Sequence, residues 1–209
     1  MGEEAEDAEV GEECLGDEPT WIVDPIDGTT NFVHQFRMTV ISIALAVDRR
    51  PVVGVVFCPF TDELYEAVIG GGAQCNGRPL RIDASGIDLR GSLVLSEFGA
   101  TGAGSFESVQ ARMTQISRLV AHGVHGIRML GSAAFNLTQV ANASAQVYFE
   151  TGIHAWDIAA GVLIVREAGG VVREFCACNG NEFRLNGRSV IAAASESILA
   201  ELVKVLELK

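Results

Sequence analysis

Apolar residues follow two rhythms along this chain. In the first 85 residues they form short runs rich in β-branched side chains, separated by polar or turn-forming residues. Residues 20–23 predict a strand that stops at Pro25. Residues 38–47 and 51–58 predict two longer strands joined by Asp48-Arg49-Arg50, and 63–69 a further one. Asn76-Gly77 is a strong hairpin signal, because both residues accept positive φ. Together these runs predict an antiparallel sheet.

The second half alternates short strands with helical periodicity. Strands are predicted at 92–96, 125–129, 146–149, 171–173 and 190–193, and helices at 105–121, 132–141 and 154–168. The first of these helices carries Phe106, Val109, Met113, Ile116 and Val120 on one face. The third ends at Gly169-Gly170. Ser195 can cap a last helix bearing Ile198, Leu199, Leu202, Val203 and Leu206 on one side. The alternation predicts a layered α/β (α+β) body. We divide it into a sheet lobe at 11–85 and an α/β lobe at 86–209, preceded by an acidic mobile tail at 1–10.

Composition narrows the function. Of 209 residues, 48% are hydrophobic and 20% charged, enough apolar material for a sizeable core. The formal charge of −12 is concentrated at the start, where residues 1–18 hold nine of the 27 acids and no base; the remainder sets 18 acids against 15 bases. That near-neutral body has no basic stripe, which argues against nucleic-acid binding. No apolar run approaches the ~18 residues of a membrane helix, and the acidic start has no secretory h-region. Five cysteines without a CxxC pair point to a reducing compartment.

The chemistry gathers in two segments. In Trp21-Ile-Val-Asp24-Pro-Ile-Asp27-Gly28-Thr29-Thr30-Asn31 a strand runs into two acids three positions apart and then into small residues. Asp24, Asp27 and the Ile26 carbonyl offer the oxygen donors that hard cations prefer, and the amides of Gly28, Thr29 and Thr30 can seat a phosphate. Read alone, the same residues also fit a turn in which Asp27 caps a short helix. In Glu150-Thr-Gly-Ile-His154-Ala-Trp156-Asp157, Asp157 lies in the first turn of an apolar helix, where a dipole or cap role is the plainer reading. Glu12 sits in the acid-rich start. The glycines at 99, 102 and 104 are in the wrong order for a dinucleotide fingerprint, and neither a Walker A sequence nor a GxSxG elbow occurs. His34, His122, His125 and His154 form no zinc pattern, and Cys176 and Cys178 read as a coincidence at a strand end.

The runs DPIDGTTNFVH and GIHAWDIAAGVLIVREAGG resemble the two signature motifs of the inositol monophosphatase family of magnesium-dependent phosphatases. VGEE (Val10–Glu13), GGAQCNGRPL, HGIRMLGSAAFNL and YFETGIHAWD match in the same order. The resemblance implies the layered α-β-α-β-α sandwich of the inositol monophosphatase and fructose-1,6-bisphosphatase type. It implies hydrolysis of inositol monophosphate, a small phosphate monoester, by a water activated at two or three Mg²⁺ ions, with lithium inhibition, and a cytoplasmic homodimer. It places metal on Glu12, Asp24, the Ile26 carbonyl, Asp27 and Asp157. Glu12, Thr29 and Asp157 take catalytic roles, Thr29 by orienting the attacking water. Phosphate falls to the Gly28 and Thr29 amides, and the inositol ring to Gly131, Ser132, Ala133 and Glu150. Ala100 stands where familiar members place a serine near the substrate.

Relative to that pattern the chain begins almost at the GEE motif, so two N-terminal helices and a hairpin are expected to be lacking, along with an Asp that helps orient the water. Two consequences are expected: an uncovered apolar face on the first sheet and weakened catalysis. Three rival readings remain beside the phosphatase assignment. One is a phosphatase for histidinol phosphate, a nucleotide 3′-phosphate or a sugar phosphate; the others are a weakly active member and a member that binds metal or dimerises without turnover.

Overall fold

The computed structural model describes residues 15–98, 106–175 and 183–208. Glu12, the tail at 1–10, Ala100, the glycine-rich loop and Cys176/Cys178 fall outside the described residues.

Six strands, β1 (Thr20–Asp27), β2 (Val40–Val47), β3 (Arg50–Cys58), β4 (Glu63–Val68), β5 (Gly72–Cys75) and β6 (Arg78–Leu80), form one antiparallel sheet in chain order, with the five-residue helix α1 (Thr29–Val33) inserted after β1. Asn76 and Gly77 turn β5 into β6 with φ of 48° and 75°, as the hairpin signal requires.

The expected stop at Pro25 is not what forms: β1 continues through Pro25 to Asp27, with a register shift between Asp24 and Asp27. The reason is topological. β1 is an edge strand, so a residue without an N–H can face outward with no ladder bond lost.

The second sheet runs β10 (Val171–Arg173), β11 (Ser189–Ala193), β9 (Val147–Thr151), β7 (Leu93–Ser96), β8 (Gly126–Arg128). It is mixed: β7 lies parallel to both β8 and β9, and the other pairs are antiparallel.

Helices α3 (Ala133–Ala141) and α4 (Ala155–Glu167) pack between the two sheets. Helices α2 (Phe106–His122) and α5 (Glu196–Leu206) pack together, with α5 against β11. The layers are therefore sheet, helices, sheet, helices, an α+β sandwich. α4 is apolar on every side because protein surrounds it. Its approach to the first sheet requires Gly54 on β3: a Cβ there would lie 2.8 Å from the Ala160 carbonyl oxygen. Outside the α3–α4 layer, the far face of the six-stranded sheet leaves Trp21 64% and Val23 49% exposed, with Ile41 also open.

The helix at 105–121 forms, but its buried face is turned by roughly a quarter-turn from the expected one. Phe106, Val109, Met113 and Val120 are exposed, Ile116 is half-buried, and Arg112 and Leu119 are buried instead. The Arg112 guanidinium reaches Thr151 Oγ1 (3.1 Å) and lies over the stacked rings of Phe149 and Phe175. That cation–π seat outweighs the apolar periodicity in setting the helix's rotation.

Candidate metal centre

Asp24, Asp27 and Asp157 converge. Each offers a carboxylate oxygen within 4.8 Å of the others', although 130 residues of chain separate Asp27 from Asp157. Three local arrangements bring them there. On β1, Asp24 Oδ1 accepts the Ile26 N–H at 2.9 Å, folding the strand end back on itself. Asp24 pairs in register with Ser42, whose hydroxyl donates to the Trp156 carbonyl and so ties the first turn of α4 beside it. In that turn Asp157 Oδ2 accepts the His154 N–H at 2.7 Å, which makes it a cap residue as well as a cluster member.

Asp27 does not cap the short helix that follows it. Gly28 is the N-cap of α1, at φ 88°, with no side-chain cap bond. Instead Asp27 Oδ2 crosses to α3, accepting the Ser132 hydroxyl at 2.6 Å and the Ala134 N–H at 2.7 Å. Ser132 in turn caps α3 by accepting the Phe135 N–H. Its hydroxyl is thus committed to Asp27. Of the four residues expected along the ring, Ser132, Ala133 and Glu150 are buried and Gly131 is exposed. Gly28 and Gly131 face one another: a Cβ on Gly28 would meet the Gly131 carbonyl at 3.1 Å, and one on Gly131 the Asn31 side chain at 2.8 Å. Both hold positive φ, so glycine is required twice over. Thr29 and Thr30 head α1 and are exposed, and Ile26 is also open to solvent.

The charges are strained. Burial, then the Asp157 and Asp24 charges, push Asp27 up to about 7 against the hydrogen bonds from Ser132 and Ala134. Asp157 rises to about 6, first through burial and then through Asp24. Burial raises Asp24 as well. At such separations each like pair costs about 3–4 kcal/mol at an effective dielectric near 20. A hard divalent cation, which prefers clustered carboxylate oxygens, relieves that repulsion, so the donor set fits Mg²⁺ chemistry.

Glu150, on β9, is 5% exposed and is pushed up to about 8 by burial and by Glu97, Asp157 and Asp27. Its carboxylate accepts the hydroxyl of fully buried Tyr148.

Four participants escaped the sequence reading. Glu97 Oε1 accepts the N–H groups of Leu130 and Gly131 and the Asn136 amide, locking the turn that enters α3. Its signal was position, an acid directly after the end of β7. Asn31 bridges the Met38 and Leu130 carbonyls. Arg188 bonds the Gly152 carbonyl and lends its positive charge to Asp157. Tyr148 is the fourth.

Residues 1–208 match the inositol monophosphatase family. Human inositol monophosphatase 1 is 43% identical over 189 residues, covering 90% of this chain and 66% of that protein. The bovine protein of the same name is 39% identical over 194 residues, 93% of this chain and 68% of its own length. The chain thus spans about two thirds of these curated relatives. Among solved structures, an inositol monophosphatase from Anabaena superposes with a TM-score of 0.82 at 33% identity, covering 91% of this chain and 74% of its own. Extragenic suppressor protein suhB from Bartonella henselae gives 0.80 at 34%, covering 91% and 70%. By sequence along its whole length and by fold, this chain belongs to the inositol monophosphatase family.

Proposed function

We propose that this chain hydrolyses inositol monophosphate to inositol and phosphate in a Mg²⁺-dependent reaction, with two or three ions at the centre. The observation that carries the reading is the convergence of Asp24 and Asp27, at the end of β1, with Asp157 on α4. These three residues would hold the ions, together with the Ile26 carbonyl and Glu12. When bound, the ions neutralise the carboxylates and acidify a water for attack on phosphorus.

The chain's own residues do the remaining work. The Gly28 and Thr29 amides, at the start of α1, receive phosphate oxygens, and the Thr29 hydroxyl orients the water. Gly131, Ser132 and Ala133 line the ring side, with Ser132 acting through Asp27. Glu150 accepts hydrogen bonds from ring hydroxyls. We further propose a cytosolic homodimer in which residues 11–85 and 86–209 form two lobes of one body. The free thiols of Cys58 and Cys75 support the compartment, and the outward apolar side chains of α2 support self-association. No helix among the described residues is long and apolar enough to cross a membrane.

The test is phosphate release from myo-inositol 1-phosphate under Mg²⁺ and Li⁺ titration, beside histidinol phosphate, a nucleotide 3′-phosphate and a sugar bisphosphate. Mg²⁺-dependent, Li⁺-suppressed release that favours the inositol ester is the expected result. Preference for another ester would reassign the substrate. A second reading, a metal-binding partner without turnover, draws support from the open apolar face around Trp21 and Val23. Calorimetric Mg²⁺ binding without phosphate release on any ester would establish it.

A further inference from the structure

We infer that Tyr148 is a positioning residue for substrate recognition: its hydroxyl fixes the Glu150 carboxylate so that one oxygen is presented to the ring hydroxyls of an inositol phosphate. The inference rests on the substrate role proposed for Glu150 and assigns the residue that makes that role possible.

Tyr148 and Glu150 are two apart on β9 and so share the face toward α3 and α4. Tyr148 is wholly enclosed in the core cluster that α3 and α4 build with the sheets. A phenylalanine would fill nearly the same volume. What the tyrosine adds is one O–H donor, and that donor goes to Glu150 Oε2. The other carboxylate oxygen, Oε1, has no hydrogen-bond partner among the described residues, yet it is not one of the enclosed unpartnered atoms. It is therefore not sealed off, and Glu150 shares the field of Asp27 and Asp157.

A glutamate's terminal torsion is broad and roughly two-fold. In the field of three other acids, an untethered Glu150 would swing away from them. The Tyr148 O–H removes that freedom and stabilises the acceptor form, leaving Oε1 with lone pairs for two donors. A polyol supplies such donors on adjacent ring carbons; a phosphate ester without ring hydroxyls does not. Tyr148 thus acts on discrimination between esters.

The experiment compares Tyr148→Phe, Glu150→Gln and the double variant in the full chain. Its readout is the ratio of kcat/KM for myo-inositol 1-phosphate to that for p-nitrophenyl phosphate. Calorimetric binding of myo-inositol 1-phosphate against inorganic phosphate, with Ca²⁺ replacing Mg²⁺, gives the same discrimination without turnover. Tyr148→Phe is expected to lower the ratio about tenfold, through KM for the inositol ester, the loss expected for a hydrogen bond to a charged group. In the Glu150→Gln background it should have no further effect. Glu150→Gln impaired beside a normal Tyr148→Phe would overturn the positioning role while leaving the Glu150 assignment standing. A normal ratio in Glu150→Gln would instead remove the substrate reading itself. Equal loss on both esters in Tyr148→Phe, or additive loss in the double variant, would reduce Tyr148 to a packing residue.

Discussion

Replacing Asp27 by Asn should stabilise the metal-free protein at alkaline pH while abolishing its response to Mg²⁺. Asp27 has a folded pKa of about 7 against an unfolded value of 3.8. Between those values the folded state retains a proton that the unfolded chain has released. The stability tied to that proton is fully present below about pH 4 and is lost as pH rises through about 7. A gap of about three units at 1.36 kcal/mol each sets a ceiling of about 4 kcal/mol, shared in part with the coupled Asp24 and Asp157. Asparagine keeps an oxygen that accepts both the Ser132 hydroxyl and the Ala134 N–H, so the change removes charge and spares the α3 junction. For a domain of this size, 1 kcal/mol moves Tm by about 2–4 °C. The variant should therefore melt up to about 8–16 °C above the parent in EDTA at pH 8, with the advantage fading toward pH 4. Scanning calorimetry from pH 4.5 to 9, with and without Mg²⁺, measures this. A variant less stable than the parent in EDTA at pH 8, or one that keeps the parent's Mg²⁺-induced rise in Tm, would refute the reasoning.

Three further outcomes are expected. Asp157→Asn should eliminate phosphate release and Mg²⁺-induced stabilisation, which reaches about 2.7 kcal/mol in the parent at 100 times the Kd, while circular dichroism stays native; turnover near the parent's rate would remove Asp157 from the centre. Ser132→Ala takes away both the α3 cap and a donor to Asp27, so urea denaturation should show a loss of about 1–2 kcal/mol and Mg²⁺ should bind more weakly, because the Ser132 bond favours the ionised carboxylate. Gly131→Ala imposes a Cβ at φ 77° against the Asn31 amide; denaturation should show a loss of about 1–3 kcal/mol, and unchanged stability would mean that the Asn31 bridge yields easily.

Elements with strong local signals were legible from the chain alone. α4 announces itself by an unbroken apolar run closed by Gly169-Gly170, and the β5–β6 turn by Asn76-Gly77. The acid pairings were legible only as family pattern, since no spacing rule connects Asp27 with Ser132 across 105 residues. The inward face of α2 was misread because periodicity cannot foresee a buried arginine stacked over Phe149 and Phe175. Pro25 misled for a related reason: whether a proline ends a strand depends on whether that strand has a neighbour on its N–H side, which is a property of the assembled sheet.

The enclosure of α4 makes the carboxylate cluster a gauge of the helix's position on the first sheet. A helix slipping by one turn along its axis would carry Asp157 about 5.4 Å away, farther than the 4.8 Å that now spans the three acids. Affinity for divalent ions therefore reports how α4 is seated against the six-stranded sheet. Repacking deep beneath the helix, as where Gly54 admits Ala160, would register as altered ion binding before any change in secondary structure could be seen.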